Sequence, residues 1–285
     1  MGRVVVGISG WNYPEWRGVF YPKGLKQKLE LAYLAERFPS IEVNGTFYSL
    51  KKPADFARWY AETPEDFLFA IKGSRYITHM RKLRDVQAPL ANFFAQGVLG
   101  LEVKLGPILW QFPRMQKYER GRFAEFFAML PRTRKDAAKY AAKHDDRLSG
   151  RALTHAATDG ELVHTVEVRH PSFDDDDFYE LLRAQNIGLV VSDSPRHWPL
   201  FTEVTRDVVF IRLHGDTELY ASRYSDASLA KWAKHVREVA KHADVYVYFD
   251  NDKKVYAPGD AGRLMTLLGQ SKSSTRAPAV SAQFQ

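Results

Sequence analysis

Apolar and polar residues alternate along several short segments of the sequence. In His164–His170, Val166 and Val168 fall on one side of a predicted strand, while Glu167 and Arg169 fall on the other. The same alternation recurs in three further segments: Ile41–Asn44, Phe210–His214 and Tyr246–Asp250. Charged side chains are costly to bury without partners. The pattern therefore indicates strands whose polar faces meet in a shared interior, with a polar site at one end of a closed barrel.

Eight short apolar runs are predicted as strands: Val4–Ser9, Ser40–Tyr48, Phe67–Gly73, Gly106–Phe112, His164–Arg169, Ile187–Ser192, Val208–His214 and Asp244–Asp250. Helical periodicity fills most of the gaps: Leu25–Phe38, Pro53–Glu62, Val86–Gln96, Arg122–Leu130, Asp176–Gln185, Leu229–His242 and Gly259–Leu268. Between Asp193 and Val208 this pattern fails, so we expect a loop or a very short helix there.

Strands that alternate with helices imply parallel pairing through right-handed crossovers. Eight such units predict an α/β fold, a single-domain (β/α)8 TIM barrel over residues 1–269. A doubly wound open sheet is the alternative, but its strands are usually apolar on both faces. The long gap 133–162 predicts an inserted helix and loop between strands four and five. The segment 270–285, rich in Ser, Ala, Pro and Gln, is expected to be a disordered tail.

Composition narrows the class of protein. The sequence has no cysteine, which excludes disulfides, cysteine nucleophiles and thiolate metal sites. It has no uncharged apolar run of about 18 residues, the length needed to span a membrane. The sequence enters its first strand without a basic leader. We therefore expect a cytoplasmic protein with no membrane partner and leave its oligomeric state open.

The net charge of +7 favours anionic partners, either a small molecule or the phosphates of a nucleic acid. A basic surface that only aids solubility is the alternative. In a barrel of this type the functional face is the carboxyl end of the strands. The candidate ligand-binding residues there are Glu42, Asn44, Tyr48, Lys72, His79, Gln111, Arg169, His170, Asp193, Arg212 and Asn251.

Three cationic residues suggest a site for an anion. Arg169 and Arg212 point inward from nearby strands, and a guanidinium group binds phosphate or carboxylate through a rigid fork. Lys72 adds a point charge from across the barrel. An internal ion-pair network, in which acidic residues neutralise the arginines, is the alternative. Its carboxylates would be Glu42, Glu167 and Asp250.

The acidic residues allow two further hypotheses. Glu167, His214 and Asp250 are the candidates for acid–base catalysis. A hard divalent metal held by Glu42, Glu167, Asp193, His214 and Asp250 is a minor alternative. Two inward arginines would repel such a cation, and the sequence has no His-x-x-x-His pair. We therefore expect no cofactor and assign no metal ligands.

Aromatic residues crowd the first predicted loop, at Trp11, Tyr13, Trp16, Phe20 and Tyr21. Near a basic rim such rings could stack on a sugar or a base. Alternatively, the loop folds down and closes one end of the barrel with its apolar area. The sequence leaves both alternatives open.

Several ordered motifs together resemble one family: Gly7-Ile-Ser-Gly-Trp-Asn-Tyr13 with Tyr21-Pro22, Glu42-Val-Asn-Gly-Thr-Phe-Tyr48, Lys72 with Tyr76-Ile-Thr-His79, Trp110-Gln-Phe-Pro113, Glu167-Val-Arg-His170, Arg212-Leu-His-Gly215 and Tyr248-Phe-Asp-Asn251. They are similar to those of the YecE-like proteins, domain-of-unknown-function family 72. The resemblance implies a TIM barrel and supplies no reaction. The family often has asparagine where this sequence has Asp250, which adds a carboxylate to the metal alternative.

Three hypotheses of function follow. The first is a protein that binds, or binds and transforms, a phosphate- or carboxylate-bearing ligand at the carboxyl end of the barrel. The second is a nucleic-acid binder or phosphodiesterase, by analogy with endonuclease-type barrels. The third is a non-catalytic scaffold. Whether the protein is an enzyme stays open; if it is one, a phosphodiesterase-type hydrolase or a sugar-phosphate isomerase-like enzyme is expected.

Overall fold

Residues 1–270 are described by a computed structural model, in which eight parallel strands close into a barrel. The strands are β1 (Val4–Ser9), β2 (Ser40–Val43), β3 (Leu68–Lys72), β4 (Leu105–Gln111), β5 (His164–Glu167), β6 (Gly188–Asp193), β7 (Val208–Leu213) and β8 (Asp244–Phe249). Each strand pairs in parallel with the next, and β8 pairs with β1. The predicted (β/α)8 barrel is confirmed.

Helices cover the outside of the barrel. Within residues 1–270 they are α1 (Glu30–Ala35), α2 (Gly45–Tyr48), α3 (Pro53–Ala61), α4 (Gln87–Ala95), α5 (Arg120–Met129), α6 (Arg134–Ala141), α7 (Asp176–Ala184), α8 (Asp226–Val239) and α9 (Ala257–Leu267). The chain from β6 to β7 contains no helix, as its lack of periodicity predicted. Helix α6 lies in the long segment between β4 and β5, so the predicted insertion is confirmed.

Side chains that point outward from the strands form the main apolar core, against the helices. Residues such as Ile8, Phe69, Ile211 and Phe249 are completely buried in it. A separate apolar cluster fills the amino-terminal part of the interior, with Phe210 against Tyr248 at a ring distance of 4.9 Å. The polar inward side chains therefore gather above this cluster, at the carboxyl end, where (β/α)8 barrels carry their functional sites.

The predicted strand Ser40–Tyr48 is too long. Strand β2 ends at Val43, and the chain turns directly into the short helix α2. Thr46 stabilises this turn, because its Oγ1 donates to the carbonyl oxygens of Val43, at 3.1 Å, and Lys72, at 2.7 Å. Tyr48 is consequently a helical residue with 63% of its surface exposed, and its predicted position on the inner face of a strand is wrong.

The predicted tail, apart from Gln270, lies outside the described residues. Gln270 itself donates from Nε2 to the carbonyl oxygen of Val4 at the start of β1, at 2.8 Å. None of the helices in the part of the chain that the structure describes is long and apolar enough to cross a membrane.

Candidate functional site

Arg212 is the centre of a buried ion cluster at the mouth of the barrel. Its guanidinium meets Glu42 through two bonds of 2.8 Å, from Nε to Oε2 and from Nη2 to Oε1. Nη1 donates to Glu167 at 2.8 Å, and Nη2 also donates to Asp250 at 2.8 Å. Nη1 further contacts His214 Nε2 at 2.9 Å. These contacts occupy the five N–H donors of a guanidinium group, so Arg212 has none left for a ligand.

The network predicted as the alternative to an anion site is therefore present around Arg212. Burial lowers the pKa of Arg212, but Glu42 and Glu167 outweigh this effect and raise the pKa well above its usual range. The side chain is 1% exposed. We therefore assign Arg212 to the support of the site and not to direct contact with a ligand.

Glu167 connects this cluster to a second arginine. Its Oε1 accepts from Nε of Arg169 at 2.6 Å and pairs with Nη2 at 2.5 Å. Burial alone would raise the pKa of Glu167, but Arg169 and Arg212 hold it well below its usual range. Glu167 is thus a carboxylate committed to two cations, which makes it a weak proton acceptor in the ligand-free protein.

The guanidinium of Arg169 also stacks on an aromatic ring. Its Cζ lies 3.9 Å from the ring centroid of Trp198, a residue of the loop between β6 and β7. Trp198 is itself anchored by a bond of 3.0 Å from Nε1 to Ser192 Oγ. The side chain of Arg169 keeps 12% of its surface exposed, so it lies at the rim of the cluster.

A chain of hydrogen bonds joins Glu42 to the next loop. Ser9 Oγ donates to Glu42 Oε1 at 2.7 Å and accepts from Asn44 Nδ2 at 2.8 Å. Asn44 follows β2 directly, so the predicted place of its side chain near Glu42 is correct. Its Oδ1 is buried and has no hydrogen-bond partner among residues 1–270.

Lys72 lies at the end of β3 and is not part of the ion-pair network. Among the residues that the structure describes, its Nζ has no hydrogen bond and no ion pair, although the residue is only 9% exposed. Nζ lies 4.5 Å from the ring centroid of Phe47. Burial, and next the positive charge of Arg212, lower the pKa of Lys72 from 10.5 to about 8. A buried lysine without an ion pair is unusual.

His214 is fully buried and bonded through both ring nitrogens. Nδ1 lies 2.9 Å from the carbonyl oxygen of Asp193, and Nε2 faces Arg212. A donating Nδ1–H and an accepting Nε2 fit this arrangement. Burial and Arg212 lower the pKa of His214 well below 6.5, so the ring is neutral. The proposed acid–base role for His214 would require it to leave these bonds.

Asp193 contributes its backbone to the site and directs its side chain elsewhere. Its Oδ2 accepts from Tyr224 Oη at 2.8 Å, and burial raises its pKa. Asn251 also directs its side chain elsewhere. It is fully buried, and its Nδ2 donates to Asp260 and to the carbonyl oxygen of Ser222. Both residues hold loops in place and lie apart from the cluster around Arg212.

Asp250 forms the third carboxylate of the cluster and has an acidic neighbour. Burial raises the pKa of Asp250, against the effect of Arg212. Burial and the charge of Asp250 raise the pKa of Asp252 to about 6. Tyr13, whose hydroxyl donates to the carbonyl oxygen of Ser9 at 3.0 Å, lies near both carboxylates, and burial raises its pKa as well.

The remaining predicted residues surround the mouth. His79 lies in a π-helical turn after β3, where its ring meets Phe47 edge-on at 5.1 Å. Burial, followed by the charge of Lys72, lowers the pKa of His79 to about 4.

Gln111 donates to the carbonyl oxygen of Phe112 at 2.6 Å. His170 caps a short turn by accepting from the backbone N–H of Ser172 at 3.1 Å.

A cavity of about 610 Å³ opens beside the mouth. It reaches the site through Asn44 and Tyr13, and its apolar wall includes Trp11 and Trp59. These two indole rings meet edge-on at 5.3 Å. The cavity is large enough for the part of a small ligand that extends beyond the charged cluster.

The other aromatic residues of the first loop pack against the protein. Trp16 and Tyr21 are essentially inaccessible and belong to the main core, and Phe20 packs between them. For these three residues, the alternative in which the loop folds down is confirmed.

Sequence reasoning missed several residues that shape the site. Ser9 is not one of them, because alternation places it on the inner face at the carboxyl end of β1. Trp198 was missed because it lies in a segment without periodicity. Phe47 was missed because its contact with Lys72 depends on α2, which takes the place of the predicted end of β2. Asp252 follows β8 by three residues, beyond the range of any strand pattern.

The candidate metal ligands do not assemble into a metal site. Within residues 1–270, no group of three or more His, Asp or Glu side chains is arranged to hold a metal ion. Arg212 lies among Glu42, Glu167 and Asp250, and Asp193 faces Tyr224. A guanidinium thus occupies the place where these carboxylates converge.

Three comparisons agree with this architecture. The family model described as "Protein of unknown function DUF72" matches residues 5–283. The UPF0759 protein YunF of Bacillus subtilis (strain 168) is 23% identical over 295 residues, which cover 93% of this chain and 94% of YunF. The UPF0759 protein YecE of Escherichia coli (strain K12) is 30% identical over 123 residues, 38% of this chain and 43% of YecE. The crystal structure of TM1631, a DUF72 family protein from Thermotoga maritima MSB8, is 28% identical with a TM-score of 0.73, over 94% of this chain and 99% of that one.

Proposed function

The chain belongs to the DUF72 family, and from this premise we propose that its barrel mouth binds a small ligand through a phosphate or carboxylate group. Lys72 and Arg169 supply the charges that contact the anion. Beside these two side chains lies the buried ion cluster, which consists of Glu42, Glu167, Asp250 and Arg212. We also propose a cytoplasmic location, because the sequence has no cysteine with which to form disulfides.

The observation that carries this proposal is the unpaired ammonium group of Lys72. Three carboxylates lie close enough to influence its pKa, yet each of them pairs with an arginine. An ammonium group that loses water without gaining a partner is destabilised. An anion at the mouth would provide the missing partner and recover that free energy on binding.

Arg169 is the second contact because only part of its guanidinium is used. Nε and Nη2 face Glu167, while Nη1 has no hydrogen-bond partner within the described residues. The ring of Trp198 restricts the plane of the guanidinium. A preorganised donor of this kind loses less conformational entropy when a ligand binds.

Binding of inorganic phosphate, measured by isothermal titration calorimetry, tests the proposal. We expect Lys72→Met to weaken phosphate binding at least about tenfold, because a charge-assisted hydrogen bond contributes on the order of 1.5–3 kcal/mol. Lys139→Met is the matched control, since it removes the same charge from a side chain that is 78% exposed on α6. Equal affinity in wild type and Lys72→Met would contradict the role of Lys72. If neither phosphate nor citrate binds to either protein, the scaffold hypothesis is favoured.

Nucleic-acid phosphate is a second candidate ligand, favoured by the rim of the mouth. Arg75, in the turn after β3, lies 5.2 Å from the ring centroid of the exposed Tyr48. A cation beside an exposed aromatic ring suits a single strand of DNA or RNA. Binding to labelled oligonucleotides at two salt concentrations tests this candidate, because binding through phosphates weakens steeply as salt rises. Absence of binding at the lower salt concentration would exclude it.

A further inference from the structure

We propose that Lys72 is a covalent catalytic residue, whose Nζ forms an imine with a ligand that carries both a carbonyl and an anionic group. The inference rests on the proposed function for the anionic end of the ligand, and it adds the class of compound: a 2-oxo acid or a phosphorylated aldehyde or ketone. Its basis is an amine at the barrel mouth that has no hydrogen bond and no ion pair within residues 1–270.

The structure holds the base of Lys72 firmly while leaving its end free. The carbonyl oxygen of Lys72 accepts from Thr46 Oγ1 at 2.7 Å, which anchors the backbone at the end of β3. The ring of Phe47 lies below the ammonium group at 4.5 Å. In the part of the chain that the structure describes, no hydrogen bond fixes Nζ itself.

Lys104 shows what a structural buried lysine looks like in this protein. It is 3% exposed, and its Nζ donates to the carbonyl oxygens of Tyr60, at 2.6 Å, and Thr63, at 2.8 Å, and to the hydroxyl of Thr63. Lys72 is similarly buried, but within the described residues its Nζ has no such acceptor. The difference indicates that the partner of Lys72 is a bound ligand.

The surroundings of Lys72 also make its neutral form accessible. Because burial and Arg212 lower its pKa to about 8, a substantial fraction of the amine is unprotonated near neutral pH. Only the unprotonated amine can attack a carbonyl carbon, and a lysine next to another cation is a recognised way to provide it. Arg212 is well suited to this effect because its own contacts keep it charged and in place.

The proposed step requires no oxidant or further reagent. The lone pair of Nζ forms a bond to the carbonyl carbon, and the carbonyl oxygen takes up a proton to give a carbinolamine. Loss of that hydroxyl group as water, with release of the proton from nitrogen, leaves a C=N bond. The balance is one amine and one carbonyl converted to one imine and one water.

The anionic group of the ligand has its own place during this step. His79 interacts electrostatically with Lys72, Arg169 and Arg75, so all three cations lie within electrostatic range of one side chain. With Lys72 at the carbonyl carbon, the Nη1 group of Arg169 is left for the phosphate or carboxylate. Lys72 and Arg169 therefore have separate roles, the first at the carbonyl carbon and the second at the anionic group.

Reductive trapping on the intact protein tests the inference. The protein is incubated with pyruvate and sodium cyanoborohydride at pH 7.5, and modified lysines are located by peptide mass spectrometry. Glyceraldehyde 3-phosphate serves as the second probe. We expect Lys72 to be modified on the order of tenfold faster than the exposed Lys139, because far more of its amine is unprotonated at that pH. Lys104 is the buried control and should stay unmodified.

The outcome separates this inference from the proposed function. If Lys72 reacts no faster than Lys139 with either probe while phosphate still binds, imine formation is wrong and anion binding stands. If neither phosphate nor citrate binds, the proposed function fails as well. Lys72→Arg provides a further distinction, since it keeps the positive charge but cannot form the imine. We expect this variant to lose the fast trapping.

Discussion

Arg212 and Glu42 form a bidentate ion pair across the interior of the barrel, with both N–O distances at 2.8 Å. The pair joins β7 to β2, which are not neighbours in the sheet. Because Arg212 also contacts Glu167 on β5 and Asp250 after β8, one guanidinium connects four parts of the barrel wall. The cluster therefore stabilises the mouth at the same time as it sets the charge around Lys72.

Arg212→Met should strongly destabilise the fold. Removing the guanidinium leaves three carboxylates near one another without their cation, and breaking a buried ion cluster in this way costs about 3–5 kcal/mol. The free energy of unfolding from urea denaturation measures the effect. Lys241→Met, which removes an exposed partner of Glu238 on the outer surface, should change the free energy by less than about 0.5 kcal/mol. A similar small effect for Arg212→Met would refute the supporting role of Arg212.

Lys72 should make the stability of the protein rise with pH above about 8. Its pKa is about 8 in the folded state and 10.5 in the unfolded chain, so the unfolded state binds more protons between these values. The penalty of the buried ammonium, up to about 3 kcal/mol, is then relieved as pH increases. We expect wild type to gain stability relative to Lys72→Met between pH 8 and 10.5 in urea denaturation. A constant difference between the two proteins over that range would contradict the lowered pKa.

Glu167 should make the protein sensitive to acid. Its pKa is lowered in the folded state, so the stability that it contributes is complete above its unfolded pKa of about 4.5 and is lost as pH falls below that value. Glu167→Gln should be less stable at pH 7 but should lose stability less steeply between pH 5 and 2.5. The measurement is the denaturation midpoint of each protein over this pH range. If the midpoints of Glu167→Gln and wild type change in parallel with pH, Glu167 is not held ionised by its arginines.

Trp198→Leu should weaken anion binding with little effect on the barrel itself. The indole ring stacks on Arg169 at 3.9 Å, and such a contact contributes on the order of 0.5–2 kcal/mol. We expect phosphate affinity to fall about threefold to tenfold while the ion pair between Arg169 and Glu167 remains. Calorimetry gives the affinity, and an unchanged value would show that Arg169 is not positioned by the ring.

The alternation of side chains in the strands was enough to predict the barrel and the members of its ion cluster. Glu42, Lys72, Glu167 and Arg212 each occupy an inner position at the carboxyl end of a strand, which a period of two residues reveals. Alternation does not determine which carboxylate pairs with which cation. That choice depends on the reach and fork geometry of Arg212, so the unpaired state of Lys72 emerged only from the structure.

Predictions failed where the backbone left the strand. Tyr48 continues the apolar run of β2 in sequence, but the hydroxyl of Thr46 bonds to two carbonyl oxygens and stabilises a helical turn. Asp193 failed for another reason: it lies within β6 on the same side as the outward-facing Val191, and its side chain faces Tyr224. Contacts made by loops, such as that of Trp198 with Arg169, have no periodic signal in the sequence.

The pKa of the Lys72 amine, with and without phosphate, tests the central claim most directly. The Nζ resonance can be followed by nitrogen-15 NMR across pH 6 to 11 and assigned with Lys72→Arg. We predict a pKa near 8 in the free protein and a higher value with saturating phosphate, because a bound anion stabilises the ammonium form. A pKa near the usual lysine value of about 10.4, unchanged by phosphate, would contradict the claim that Lys72 is the free cation of an anion-binding site.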